Sequence, residues 1–296
     1  STCMVGIGGA IGTMIPPSIC MVVYATAAGV SLTSMFTAGI PAGIIFGCFL
    51  IGYCYFSSKK RGYYPAERTK YTAKEVIAIL IDAIPAYSVP VIILGSIYGG
   101  LATPTEAAAI CVLYASFLGV VVYRALSPKA YWKCIKQSCI DAGPICILLA
   151  VSTLLGSVLI KAQIPQALIA ALMTVIHSKW MFLLLLNLAF LVVGMFMETV
   201  SAITILTPII FPMAQAFGID GIHLGIVLVF NLMIGVLSPP FGVVLFAIAK
   251  VAKVPMGKLI KELIPWFGIL LITLAILTIF PGISTLVPSM MGFAVS

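Results

Sequence analysis

The sequence predicts an all-α polytopic membrane protein in which two helices are broken midway and a hairpin turns at an acidic residue. Three observations predict it. Of the 296 residues, 62% are hydrophobic and 8% charged, against about 25% charged in a soluble domain, and the mean hydropathy is +1.23. Two long apolar runs are interrupted by the same pattern, Gly12-Thr13-Met14-Ile15-Pro16-Pro17-Ser18 and Gly235-Val236-Leu237-Ser238-Pro239-Pro240-Phe241-Gly242, at a constant offset of 223 residues. A third apolar stretch is divided by Glu198-Thr199-Val200-Ser201.

The elements follow in order. Residues 4–28 form the first broken segment, and 34–57 are a full apolar span. A polar loop with six basic residues between Lys59 and Lys74 comes next. Residues 76–100 span again, with Pro85 and Pro90 as expected kinks, and 105–125 return. The basic stretch 124–136 leads into a span over 139–160. Residues 164–176, opened by Pro165, are too short to cross upright. The arms 180–196 and 202–217 flank Glu198, 222–249 hold the second break, and 263–282 form the last span. The chain starts at Ser1 inside an apolar segment, which reads as a fragment whose upstream part lies outside it.

Charge fixes an expected orientation. The net charge of +8 is gathered between the apolar runs, so it marks cytoplasmic loops and not a nucleic-acid surface. With 59–74, 124–136 and 250–261 inside, 14 of the 16 Lys and Arg lie on the cytoplasmic side, leaving Lys161 and Lys179 outside. The eight cysteines form no CxxC pair and read as small buried hydrophobes. Two isolated histidines, His177 and His223, provide no zinc site.

A proline has no N–H, so the carbonyl four residues earlier loses its helical partner. Pro16 and Pro17 thereby free the carbonyls of Gly12 and Thr13, and Pro239 and Pro240 those of Gly235 and Val236. In hydrocarbon such oxygens must face protein, water or an ion. Paired broken helices in matching halves of a chain point to a transporter's binding site; the plain alternative is two packing kinks. A hard cation suits uncharged oxygens, and the hydroxyls of Thr13 and Ser238 add to the set. The expected sodium ligands are therefore Gly12, Thr13, Gly235 and Ser238. The half-helices beyond each proline pair present positive dipole ends to an anionic substrate.

A carboxylate between apolar arms is expensive in lipid and functional by default, which singles out Glu198, with Thr199, Ser201 and Thr204 nearby. Arms of 16–17 residues reach about 25 Å, short of the roughly 30 Å hydrocarbon core. A re-entrant hairpin is expected, with a fully spanning one as the alternative. Thr103-Pro104-Thr105-Glu106 reads as a helix cap. Asp82 and Asp141 are expected to snorkel or pair with lysines, and Asn187 to bond between helices. There is no GxSxG, HExxH or P-loop motif, so this chain does not itself hydrolyse ATP.

In combination these motifs resemble the large membrane subunit of the tripartite ATP-independent periplasmic (TRAP) transporters. The likeness lies in GGAIGTMIPPSI at 8–19, PVIILGSIYGGLATPTEAAA at 90–109, IPQALIAAL at 164–172, GMFMETVSAITILTPIIFP at 194–212 and NLMIGVLSPPFG at 231–242. Many members carry Asp where this chain has Glu198. The resemblance implies an inverted-repeat, elevator-type importer of the bacterial or archaeal cytoplasmic membrane, coupled to sodium and without another cofactor. It implies a small membrane subunit and a periplasmic solute-binding protein as partners, the lipid bilayer as surroundings, and a small organic acid as substrate. It also implies sodium and substrate sites at Gly12–Pro17, Glu198–Ser201 and Gly235–Pro240. In that scheme 1–28 belong to the transport domain of the first repeat, 29–136 supply scaffold spans and loops, and 137–296 form the second repeat. The alternatives are a stand-alone sodium/dicarboxylate symporter, an intramembrane enzyme using Glu198, which would need a second polar group beside it, and a structural membrane subunit without a pathway.

The orientation yields a direct test. Single cysteines at positions 60 and 258, in a cysteine-free background, are expected to resist a membrane-impermeant maleimide applied from the periplasmic side. Labelling of either from that side overturns the assignment.

Overall fold

The computed structural model describes residues 2–60, 62, 72–163, 167–170, 174, 176, 178–239, 242–252 and 254–293. Twelve helices matter here: α1 (Thr2–Ala10), α2 (Ile19–Ala28), α3 (Leu32–Lys60), α4 (Ala73–Tyr98), α5 (Pro104–Phe117), α6 (Pro128–Lys161), α7 (Lys179–Phe196), α8 (Thr199–Ala216), α9 (Gly221–Leu237), α10 (Val243–Ala252), α11 (Met256–Ile279) and α12 (Gly282–Met290). Seven of them, α3 to α8 and α11, are long and apolar enough to cross a membrane, α5 doing so with a π-helical continuation to Val122. The protein is thus an all-α polytopic membrane protein. The short helix expected over 164–176 falls largely outside the described residues, of which 167–170 are helical.

Contacts divide the chain into two units, residues 1–53 with 144–296, and residues 54–143. In the smaller unit α4 packs on α5. The Ser88 hydroxyl donates to the Tyr114 hydroxyl at 2.7 Å between them, and Tyr131 at the start of α6 donates to Ser116 at 3.1 Å. Thr103 and Glu106 close the expected capping box on α5 with Pro104 at its first turn. A second box, Thr72 with Glu75, opens α4.

The larger unit is built around α9. Every residue of α9 is buried, as expected for a helix that is apolar all round. Helices α7, α8, α2, α11, α10 and α12 all pack against it. Its start is fixed by Asp220, whose carboxylate accepts the N–H groups of Ile222 and His223 at 2.8 and 3.0 Å. Tyr24 on α2 donates its hydroxyl to the Gly221 carbonyl at 2.7 Å, and Gly225 leaves room beneath that ring.

Polar side chains inside this unit answer one another. Asn187 on α7 donates to the Thr278 hydroxyl on α11 at 3.0 Å. Asn231 on α9 donates to the Asn187 carbonyl and side-chain oxygens at 3.0 and 2.8 Å. The interhelical bond expected of Asn187 is present, with partners on two helices.

Several boundaries differ from expectation. The stretch 124–136 is mostly the first turns of α6, because Lys129, Lys133 and Lys136 are good helix formers and no breaker intervenes before Pro144. Helix α11 begins seven residues earlier than expected for the same reason, running through Pro265. Helix α12, absent from the sequence reading, turns Ser284 and Pro288 inward and exposes Leu286 and Met290. Asp141, expected to snorkel or pair with lysines, is exposed and accepts from Gln137 at 2.8 Å, one helical turn away.

The asparagine pair gives a measurable coupling. A double-mutant cycle of Asn187→Ala and Asn231→Ala, read by denaturant unfolding in mixed micelles, is expected to give about 0.6–1.7 kcal/mol. A coupling at zero would mean the two side chains do not hold α7 to α9.

Candidate functional site at two helix breaks and a hairpin tip

At the first break α1 tightens into one 3-10 turn, Ile11–Thr13, and Met14–Pro17 are non-helical before α2 starts at Ile19. The Ile11 carbonyl accepts the N–H groups of both Met14 and Ile15, at 2.9 and 3.1 Å. The Thr13 carbonyl, expected to be bare, accepts the Ser18 hydroxyl at 2.6 Å. Ser18 is buried and is spent on this carbonyl instead of capping α2. The Thr13 hydroxyl donates to Ala10 at 2.8 Å. Gly39 and Gly43 on α3 let the broken backbone settle, since a Cβ on Gly39 would stand 2.9 Å from the Met14 carbonyl oxygen.

The second break solves the same shortage differently. In a regular helix the Ser238 N–H would bond to Ile234. Here it moves one residue along to the Gly235 carbonyl at 2.8 Å, and the Ser238 hydroxyl takes Ile234 at 2.8 Å. One serine thereby serves two carbonyls, one of them an oxygen that Pro239 had deprived. The Gly242 N–H then bonds to the Ser238 carbonyl at 2.9 Å. Any Cβ on Gly242 would stand 2.6 Å from the Val236 oxygen, so this position requires glycine. Pro240 lies outside the described residues.

Of the four carbonyls expected to be free, Thr13 and Gly235 are therefore partnered within the chain. Gly12 and Val236 keep proline as the residue four ahead. A carbonyl oxygen has two lone pairs, so a single hydrogen bond at Thr13 or Gly235 leaves one acceptor direction open.

The two breaks lie side by side. Helix α1 packs on α10 and α2 on α9, while the 3-10 turn also touches α9. First half against second half means the broken helices run antiparallel. Each is followed by a 10-residue half-helix, α2 or α10, and then by a long apolar helix, α3 or α11.

The hairpin closes on this pair. Its turn is only Met197-Glu198, because Thr199, Val200 and Ser201 wind into α8. Each arm is consequently 18 residues long, one or two more than expected. Glu198 is the N-cap of α8, accepting the Ser201 N–H at 3.0 Å and its hydroxyl at 3.3 Å. Thr199 is buried, Ser201 is half-buried, and the Glu198 side chain is exposed. The last turn of α7 rests directly on the second break. A Cβ on Gly194 would stand 2.9 Å from the Gly235 Cα, and one on Gly235 2.5 Å from the Gly194 Cα. The other arm, α8, packs along α2, and the Glu198 carboxylate reaches Cys20 electrostatically in the first turn of α2. The Glu198 tip thus follows, four residues on, the glycine that meets the end of α9.

Sequence reasoning missed Ser18, Gly194 and Asn231. Ser18 was visible as a hydroxyl directly after a proline pair. Gly194, four residues before Glu198, carried no such sign. Among the described residues, no cluster of three His, Cys, Asp or Glu could hold a metal ion.

Two antiparallel broken helices held by a hairpin thus lie within a multi-pass, all-helical membrane chain. The chain belongs to the family described as "Tripartite ATP-independent periplasmic transporter, DctM component", whose model matches residues 2–283. It is accordingly a multi-pass protein of the inner membrane. It is 38% identical over 283 residues to the isethionate TRAP transporter permease protein DctMQ of Oleidesulfovibrio alaskensis, covering 96% of this chain and 44% of that protein. It is 38% identical over 286 residues to the C4-dicarboxylate TRAP transporter large permease protein DctM of Pseudomonas aeruginosa, covering 97% and 66%. It is 35% identical over 280 residues to the sialic acid TRAP transporter large permease protein SiaM of Vibrio cholerae, covering 95% and 65%. The chain spans less than two thirds of the length of each.

The glycine contact sets a prediction. Gly235→Ala is expected to destabilise the protein by about 1–3 kcal/mol, because backbone on both sides must move. Gly268→Ala, in an exposed and open part of α11, is expected to be neutral or stabilising by up to about 1 kcal/mol. Equal melting temperatures for the two variants would refute the close approach.

Proposed function

We propose that this chain is the permease part of a sodium-coupled secondary transporter that imports a small organic acid delivered by a periplasmic binding protein. The observation carrying this reading is the meeting of both proline breaks and the Glu198 tip in one unit. Uncharged oxygens of Gly12, Thr13, Val236 and Ser238 suit sodium, which needs several oxygens and no full charge. The Gly235 carbonyl, with one lone pair still open, completes that set.

The substrate is an anion at the beginning of α2. That helix has no side-chain cap, so its first N–H groups and its dipole are available to a negative group. Relatives named for isethionate, C4-dicarboxylate and sialic acid share an acidic substrate, which favours a dicarboxylate or sugar acid here. Glu198 lies opposite and draws cations to the same place. Ion entry thereby prepares the site for a negatively charged guest. A small membrane subunit works beside the chain, as a separate protein or fused, and co-purification of one separates this reading from a stand-alone symporter. Movement of the broken helices and hairpin as one body past a scaffold provides alternating access.

Two experiments test the chemistry in the full-length protein with its partners in proteoliposomes. Replacing Pro239 and Pro240 together by alanine restores two donors, and the sodium concentration for half-maximal uptake is expected to rise severalfold while the protein still inserts. An unchanged value would show that the breaks are kinks only. Glu198→Ala is expected to reduce uptake at least tenfold, about 1.4 kcal/mol by the conversion of rate to free energy, with little loss of folded protein. Uptake at the unaltered level would remove Glu198 from the site.

A further inference from the structure

Away from the breaks, α7 and α11 leave a slot between them with a volume of about 470 Å³, within the range of ligand sites. Leu184, Leu188 and Leu191 form one wall, and Leu271, Ala275 and Ile279 the other. The floor is the hydrogen bond from Asn187 to Thr278 at 3.0 Å. Both floor side chains are buried and bonded to each other, and Asn187 also accepts from Asn231, so the slot presents an apolar surface.

Its dimensions select the occupant. Helices joined by side chains at 3.0 Å leave no room for a third helix, which is about 10–12 Å across. The slot runs from Trp180 to Leu191, about 17 Å along α7 at 1.5 Å per residue. Half of a 30 Å hydrocarbon core is about 15 Å. A single acyl chain of one leaflet therefore matches it in width and depth.

Its mouth selects the headgroup. Trp180 closes the outer end, with the Lys179 ammonium 5.1 Å above its ring. An indole and a lysine at a helix end belong at headgroup level. Asp220, which like Lys179 lies within electrostatic reach of His223, is occupied in capping α9. The Lys179 side chain is itself exposed, so its charge is presented at the mouth.

We infer that the slot between α7 and α11 is a binding site for one acyl chain of an anionic phospholipid, its phosphate held at Lys179 and Trp180. The lipid is a wedge on the first arm of the hairpin, behind the Gly194–Gly235 contact, and it ties that arm to α11.

Photoreactive phosphatidylglycerol and photoreactive phosphatidylcholine, each with a diazirine in the acyl chain, test this in the full-length complex reconstituted in nanodiscs. Crosslinks are mapped by peptide mass spectrometry. The phosphatidylglycerol probe is expected to label the peptides around Leu184–Leu191 and Leu271–Ile279 about fivefold more than the other, as one lysine near an anionic headgroup allows. Lys179→Gln, at the exposed mouth, is expected to abolish the preference while labelling persists. Ala275→Phe, which fills the slot, is expected to reduce labelling by both probes. Equal labelling of the unaltered protein by both probes would mean ordinary annular contact and overturn the proposal. Labelling by neither would mean that protein covers the slot, and would overturn it as well.

Discussion

Four prolines in two pairs remove four main-chain donors from helices that must live in an apolar medium. An unsatisfied carbonyl there costs several kcal/mol, so each deprived oxygen needs some other partner. The larger unit is arranged around that shortage. At the first break Ser18 provides a hydroxyl to Thr13 from beyond the prolines. At the second, Ser238 shifts its own N–H to Gly235 and substitutes its hydroxyl on Ile234. Similar sequences thus reach two different local solutions, each using one serine. The other two carbonyls with a proline four residues ahead, Gly12 and Val236, lie on adjacent antiparallel elements.

Glycine makes the meeting of these elements possible. Gly39 and Gly43 admit the first break onto α3, and Gly194 meets Gly235 backbone to backbone. Small residues serve this purpose in membranes because hydrocarbon gives helices little reason to associate beyond close packing and internal hydrogen bonds. The same economy explains the asparagine cluster, where Asn187 binds both neighbours of α7 with a single amide.

Much of this was legible in the sequence. Hydropathy set the class and most spans, and the proline pairs announced the breaks, since proline acts on its own backbone wherever it stands. The Thr103–Glu106 box was equally local. The same logic, applied to Glu198 with Ser201 three residues on, would have found the cap on α8; the cost of a carboxylate between apolar arms drew attention away from that simpler duty. Ser18 and Gly194 were hidden because their partners are fixed by the fold. Whether a hydroxyl turns toward a carbonyl five residues back, or a glycine faces another forty-one residues away, depends on how the chain has already folded. Basic residues misled in the opposite sense. Lys129, Lys133 and Lys136 mark a polar region, but a polar region can be helical, and hydropathy alone cannot distinguish a loop from the wet end of a long helix.

The cap on α8 carries a thermodynamic consequence. Glu198 uses Oε2 to hold the Ser201 N–H and hydroxyl. A cation seated on that oxygen would draw on the same lone pairs, so winding of the first turn of α8 and occupancy by the cation would be linked equilibria. Linkage is reciprocal: whatever loosened the turn would strengthen the hold on the cation, and removing the cation would rewind the turn. A single carboxylate oxygen would thereby couple the length of a helix to the chemical potential of an ion.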